Sequence, residues 1–576
     1  MAEKLLLSRV FAEVVSEGVE PMLEAQRADG TIVFDPALPI VYGQQGVMPL
    51  AFCYAGYGTN PEHKKSAKIE EAIRKLAGFL VARFDDQGRV HYDSHGYDVN
   101  TVDQRLTYAW TEGLRMMRDV AKADMPYEKW GDKILRACHY LVEHRMAKLV
   151  GLRRFISRVL GTSTNHVAHY VSTVYRAGQV LGKRELCDFA LPIGRALAAD
   201  IHPDGYWEEH GDLLRRGGPT PSYNYLTLSG MALMYEWTGE QVFADAIAKA
   251  TAFHGNFSYP DGSFNDLMDE RVRYDALPRV WGLFGFSHTA AGRGMALQHM
   301  ENWLSLHAVP PRKAMTPESL ARHCENFLYW HDGPVEMAAY QRADHQALLH
   351  GGEAGVFRKG KWYVGLSAMP ATNGEDPAYR NNPFGLDRQK LLSVWHEKTG
   401  LILDGSHSKD QRAFSTFAAR AEYADDFYPA GGQVVEEGRE MVAKVAYKTF
   451  FAEVRVREVA GGKLEIELGV DPAGNRGPFA VGFTLRRIAE VVRGFNGKEL
   501  SLGREKFVVS GEELGGGFTY GGVRIEGVAD MRVSWPLSPF NSYAKSGQSS
   551  SSASQVKVET ELTMERRKMV FVIAVD

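Results

Sequence analysis

The sequence predicts an α+β, multidomain protein: an array of helical hairpins over residues 1–306, a linker with one short helix over 307–330, and an antiparallel β-sandwich over 331–576. Three observations carry this reading. Apolar residues recur three and four apart through the first three hundred positions, the spacing of one helix face. After Trp303 they give way to short alternating or β-branched runs punctuated by glycine, the pattern of strands. A chain of 576 residues also exceeds what one hydrophobic core holds.

In chain order, helices are expected over residues 5–25, 67–84, 103–121, 127–148, 165–181, 185–201, 225–238, 242–253 and 279–307. Turn signals stand at their junctions, among them Asp85-Asp86-Gln87-Gly88, His202-Pro203-Asp204-Gly205 and Tyr259-Pro260-Asp261-Gly262. Hairpins of roughly 40 to 60 residues have the period at which helix pairs stack side by side. Their loops, rich in Asp-Gly and aromatic residues, are expected to gather at one end as a cleft.

A proline-bearing linker, His307-Ala308-Val309-Pro310-Pro311-Arg312, precedes a last short helix over 317–329. Strands are then expected over 335–341, 354–357, 362–367, 390–395, 400–403, 441–446, 449–457, 463–470, 479–485, 507–509, 518–520, 531–535, 556–564 and 569–575. The serine-rich stretch ending at Ser554 reads as a loop between strands.

With 67 basic and 71 acidic side chains the net charge is −4, so there is no general electrostatic drive toward nucleic acid. No run of about 18 apolar residues predicts a membrane span. Residues 1–13 mix charges into an apolar pattern, which suits an amphipathic helix better than a signal peptide. The chain as written is expected in the cytoplasm, or in the periplasm or outside the cell if a signal has been removed. Cys53, Cys138, Cys187 and Cys324 are too scattered for a disulfide framework or a cysteine zinc site and read as small buried hydrophobes.

The densest chemistry lies in Thr164-Asn165-His166-Val167-Ala168-His169-Tyr170, where helical spacing lets Asn165, His166 and His169 share one face. A second segment, Pro219-Thr220-Pro221-Ser222-Tyr223-Asn224-Tyr225, is expected to bring a tyrosine to the same end. Capping is the duller role for Thr164, Asn165 and His166.

Taken in order, Thr164-Asn165-His166 opening a helix, Asp204-Gly205, Pro221-Ser222-Tyr223-Asn224, and Tyr259-Pro260-Asp261-Gly262-Ser263 with Asp269-Glu270-Arg271 resemble the heparinase II/III-like group of polysaccharide lyases. The resemblance covers most of residues 150–305 and, more loosely, the sandwich. It implies an incomplete (α/α) toroid as the catalytic domain and β-elimination on a uronic-acid polysaccharide or oligosaccharide, with no cofactor required. By the same resemblance Tyr223 is the proton shuttle, and Asn165 and His166 are the carboxylate-binding or base partners. Tyr225 is the rival shuttle, although it begins a helix and so favours packing. The resemblance also allows His345, from the sandwich, to reach the cleft, and a structural zinc on His396, Asp404 and His407, whose ligand types suit that metal.

That chemistry suits the residue types. Elimination requires removing the C5 proton, protonating the leaving oxygen and stabilising charge on the C6 carboxylate. Arg215, Arg216, Arg271 and Arg273 suit carboxylate or sulfate recognition, surface solvation being the alternative for each. Trp207 suits stacking on a sugar ring, and His169 a supporting role. Two other functions remain open. A glycoside hydrolase would use a pair among Glu208, Glu209, Asp261, Asp266 and Asp269; a glycan-binding protein would have no turnover at all.

Overall fold

The structure, a computed structural model, describes residues 7–34, 39–94, 97–120, 125–152, 163–209, 218–269, 280–306, 308, 315–371, 386–420, 425–472, 474–542, 544 and 546–576. The chain divides into two compact units. One comprises Met1–Leu213, Pro221–Gly255 and Pro278–Ala338; the other comprises Leu214–Thr220, Asn256–Leu277 and Ala339–Asp576.

The first unit is helical. Its α-helices are α1 (Leu7–Glu17), α2 (Val19–Glu24), α3 (Ile40–Gln44), α4 (Val47–Ala55), α5 (Ala67–Arg83), α6 (Gln104–Arg118), α7 (Tyr127–Leu141), α8 (Thr164–Leu181), α9 (Arg184–Ala199), α10 (Pro221–Thr238), α11 (Gln241–Phe257), α12 (Leu283–Phe286), α13 (Ala290–Leu306) and α14 (Pro317–Leu328). A small antiparallel hairpin of β1 (Val90–Ser94) and β2 (Tyr97–Thr101) stands before α6.

Two features depart from the periodic reading. The expected helix over 5–25 breaks at Gly18, against which the Leu320 side chain of α14 packs so closely that a Cβ would lie 2.4 Å from it and Leu320 would have to shift. Helix α4 is buried on nearly every residue from Val47 to Tyr54 and therefore has no polar face to reveal it. The expected linker helix belongs to this unit rather than standing apart. Its N-cap Thr316 accepts from the Ser319 amide at 3.2 Å, Pro317 fills the first turn, and His323 packs on Phe11 of α1 at 5.8 Å between ring centroids.

The second unit is an antiparallel assembly of two sheets, as the sequence predicted. Among the described residues one sheet has nine strands, with β12 (Phe451–Val459), β13 (Lys463–Asp471) and β22 (Lys568–Val575) adjacent near its middle. The other has eleven, nine of them along its main path, including β5 (Trp362–Ser367), β6 (Leu392–His396), β14 (Phe479–Leu485) and β21 (Gln555–Leu562). Alternate residues of β12 and β13, such as Val454, Val456, Ile466 and Leu468, are buried, and Phe571 stacks on Phe483 at 4.1 Å across the sandwich core. The expected strand over 335–341 is instead irregular with a 3₁₀ turn at Ala339–Gln341, and the first strand of the unit is Asp344–Leu349. The segment around Tyr259–Met268 also belongs here, since the Tyr259 ring meets Tyr363 edge-on at 5.5 Å.

Candidate active site

The candidate site is built in the helical unit at the start of α8. This helix begins after Ser163 and ends at Gly182, which takes φ +68° and lets the chain turn without a Cβ penalty. Its N-terminal turn carries Thr164, Asn165 and His166 at the positive dipole end that favours an anion, and the His166 amide already donates to the Ser163 carbonyl at 3.2 Å.

Helix α10 lies close beside it. Ala168 and Gly230 face each other so tightly that a Cβ on Gly230 would come within 2.8 Å of the Ala168 Cβ, and the Thr164 and Thr227 hydroxyls lie 3.4 Å apart. The two helices therefore run in the same direction, which brings the first turn of α10, with Tyr223, to the N-terminal end of α8. Tyr223 is half-buried there, and its carbonyl accepts from the Thr227 hydroxyl at 3.2 Å.

His166 and Tyr170, one turn apart with rings 6.2 Å between centroids, line a cavity of about 400 Å³. Tyr42, Tyr92, Asp103, Gln104, Arg105, Arg145 and Lys148 complete its chemical lining. Asp103 caps α6 by accepting from the Leu106 amide at 2.8 Å, which fixes the next residue, Gln104, so that its side chain meets His166 Nδ1 at 3.4 Å. Arg105 pairs with Glu318 at 2.8 Å and stands 5.5 Å from the centre of the Tyr42 ring. Arg145 donates to the Thr101 hydroxyl at 3.0 Å. Burial pushes the phenols of Tyr42, Tyr92 and Tyr170 above their ordinary range, while Arg105 opposes the shift at Tyr42 and Tyr92 and Arg145 opposes it at Tyr170.

Two buried atoms on the same helix lack protein partners: Asn165 Oδ1 and His169 Nε2. The His169 pKa falls well below the usual imidazole range because of burial first, then the positive charges of Arg322 and Arg105, so the ring is neutral. A neutral imidazole and an amide, each with an uncommitted atom, form a pair able to take hydrogen bonds from a ligand.

Other residues singled out in the sequence do not fit their expected roles. Tyr225 is 1% exposed, its hydroxyl meets His299 Nε2 at 3.2 Å and its ring packs on His254 and Phe286; it is a core residue rather than a shuttle or a substrate contact. Trp207 is likewise core, 2% exposed with its indole N–H donating to the Leu197 carbonyl at 2.8 Å, so its face cannot stack on a sugar. His345 lies in the sheet unit, where its Nε2 donates to the Asn256 carbonyl at 2.8 Å. Arg215, Arg216, Arg271 and Arg273 fall outside the described residues.

The expected zinc ligands are not assembled into a site. His407 uses both nitrogens: Nε2 donates to the Leu267 carbonyl at 2.9 Å and Nδ1 accepts from the Lys390 amide at 3.4 Å. His396 Nδ1 accepts from the Lys398 amide, and Asp404 is held by Lys390 and Ser406. Of the hydrolase carboxylates, Asp261 accepts from Ser263 and from the Trp395 indole, and Asp266 from the Tyr259 hydroxyl.

The sequence reading missed Tyr42, Tyr92, Arg105, Arg145 and Lys148. Asp103-Gln104-Arg105 carried one usable signal, an N-cap followed by polar residues at a helix start. The others come from separate segments that only the fold brings together.

No protein-family model matches the sequence, and no curated protein matches it. Solved structures do share its fold. A chondroitin AC lyase from Streptomyces coelicolor A3, solved with chondroitin sulphate, aligns over 100% of this chain and 80% of its own, with TM-score 0.54 and 13% identity. Heparinase III aligns over 95% of this chain and 79% of its own, with TM-score 0.53 and 10% identity. A xanthan lyase from Paenibacillus covers all of this chain with 58% of its own length, at TM-score 0.55 and 11% identity. The helical unit followed by antiparallel sheets is thus the toroid-plus-sandwich fold of these lyases. No helix among the described residues is long and apolar enough to cross a membrane.

Proposed function

We propose that the protein is a polysaccharide lyase that cleaves a uronic-acid-containing polymer by β-elimination. The observation that carries this reading is the cavity beside the N-terminal end of α8, where Tyr42, Tyr92 and Tyr170 stand with His166, Arg105, Arg145 and Lys148 in a lining suited to an acidic sugar. The fold shared with chondroitin AC lyase, heparinase III and xanthan lyase supports the general class.

In this reading the uronate carboxylate sits at the N-terminal end of α8, where Asn165 and His166 and the helix dipole stabilise the charge that builds on it. Arg145 and Lys148 suit the acidic groups of neighbouring sugars. Tyr223 takes the C5 proton as the C4–O bond breaks and returns a proton to the leaving oxygen, and a C4–C5 double bond conjugated with the carboxylate remains. The ordinary tyrosine pKa near 10 makes the base form costly at neutral pH unless cations stabilise it. No metal or cofactor is needed in this scheme.

The test is ultraviolet absorbance from the conjugated product during incubation with alginate, glucuronan, ulvan, hyaluronan, chondroitin and heparin-type polymers, with reducing ends counted in parallel. Growth of both signals on one polymer establishes elimination and names the substrate. Reducing ends without absorbance mean hydrolysis and overturn the proposal.

A further inference from the structure

A second cluster stands in the helical unit, away from the cleft. Glu236 lies near the C-terminal end of α10, His288 just after α12 and His331 just beyond α14. Their ligand atoms all lie within 4.8 Å of one another. His331 Nε2 is 2.6 Å from Glu236 Oε1, and His288 Nε2 is 3.4 Å from the same oxygen. We propose that Glu236, His288 and His331 form a zinc site, with one carboxylate oxygen and two imidazole nitrogens as ligands and water completing the tetrahedron.

Three features favour a metal over a plain ion pair. The donor set, two histidines and a carboxylate, is one that zinc takes while keeping an open position. His288 Nε2 is buried and makes no hydrogen bond, so its contact with Glu236 leaves the ring nitrogen without a partner. The ligands are also preorganised: the His331 amide donates to the Ser287 hydroxyl at 3.0 Å, the Ser287 hydroxyl donates to the Phe284 carbonyl, and the His288 ring meets Tyr235 edge-on at 5.3 Å.

Arg293 is the cation that faces this cluster, and it opposes metal binding electrostatically. Two of its donors point elsewhere, however, with Nε on the Pro334 carbonyl at 2.7 Å and Nη1 on the Ser287 carbonyl. His331 keeps 45% of its side chain exposed against 13% for His288, so the open coordination position faces solvent.

The ion would take no part in the chemistry proposed at the start of α8. Glu236 lies about 20 Å farther along α10 than Tyr223 at ~1.5 Å rise per residue, too far for the ion to touch the sugar held at the other end of the helix. A bound zinc would instead tie the end of α10 to the turns that follow α12 and α14, so that three segments distant in sequence share one fastening point.

The test uses chelator-treated full-length protein titrated with zinc by calorimetry and with cobalt by visible absorption. One equivalent should bind, cobalt should give the intense bands of a tetrahedral site, and zinc should raise Tm. His331→Ala and Glu236→Gln should each weaken zinc at least ~100-fold, whereas His407→Gln in the sheet unit should leave affinity unchanged. The proposal is overturned if zinc fails to bind the wild type, or if it binds His331→Ala and Glu236→Gln as tightly as the wild type. Because the readout needs no polysaccharide, its failure is distinguishable from failure of the lyase reading.

Discussion

Asn165 and Asp404 are buried to nearly the same degree, 5% and 6% exposed, yet their surroundings treat them in opposite ways. Asp404 is wired into the sheet unit: Lys390 donates to it at 3.4 Å and to Gln555 at 2.8 Å, the Ser406 amide donates to it at 2.8 Å, and Arg486 lies 3.9 Å away. Asn165 leaves its Oδ1 unpartnered, as His169 does its Nε2. A buried polar atom without a partner costs about 1–3 kcal/mol, a penalty that Asn165 carries and Asp404 does not. The Asp404 network is complete within the protein, whereas the acceptor on Asn165 is left open, and the role proposed for Asn165 turns on that contrast.

The largest effect expected from breaking this contrast is on turnover. Tyr223→Phe should lower kcat by about 10²- to 10⁴-fold while leaving circular dichroism and Tm close to wild type, because one half-buried hydroxyl is all that disappears. If turnover stays within a few-fold, the shuttle passes to one of the cavity phenols, Tyr170, Tyr42 or Tyr92, each of which can be tested by the same substitution. Asn165→Ala should cost about 10²- to 10³-fold in kcat with little loss of stability, since its side-chain oxygen has no partner to lose. Large destabilisation with turnover per folded molecule intact would make Asn165 a structural residue.

In the completed network the expected effect is on stability. Lys390→Met leaves Asp404 buried with Arg486 as its nearest remaining cation and should destabilise the sheet unit by about 3–5 kcal/mol. Urea unfolding followed by a sheet-specific signal reads this out. A loss under about 1 kcal/mol would mean that water relaxes around Asp404 once the lysine is gone.

The sequence revealed the architecture and one helix of the site for definite physical reasons. Amphipathic helices such as α5 and α6 and the alternating strands β12 and β13 carry their burial in their periodicity. Helix α4 had no such signal because it is buried all round, and the boundary near residue 306 moved because α14 packs on α1, a contact between segments 300 residues apart. Local spacing placed Asn165, His166 and His169 on one turn. It could not place Arg105 or Arg145 beside them, nor show that Tyr225 turns inward to His299. His396, Asp404 and His407 had the chemistry of metal ligands, but their hydrogen-bond partners, Leu267 and Lys390 among them, are set by the fold alone.

The completed network should also show a pH dependence, smaller than these effects over any single pH unit, and its sign can be worked out. Asp266 accepts from the Tyr259 hydroxyl at 2.8 Å, and its pKa is raised to about 7, chiefly by burial and then by the negative charge of Asp404, against the pull of Arg486 and Lys390. The unfolded value is near 3.9, so between roughly pH 4 and 7 the folded state holds a proton that the unfolded state has released. Stability must therefore fall as pH rises through that window, by at most about 1.4 kcal/mol per pH unit. Asp404 behaves in the opposite sense: Lys390 and Arg486 hold its carboxyl below the usual range, so its contribution is present above the unfolded value and is lost as pH falls toward the folded one. Asp266→Asn should remove the loss between pH 4 and 7 and leave the acid limb, whereas Asp404→Asn should weaken the acid limb and lower the Asp266 pKa by removing its negative neighbour. Urea unfolding at pH 4.5, 5.5, 6.5 and 7.5 on wild type and both variants measures the two limbs separately. Parallel curves for wild type and Asp266→Asn would mean that Asp266 is ionised throughout the window, with Arg486 and Lys390 outweighing its burial.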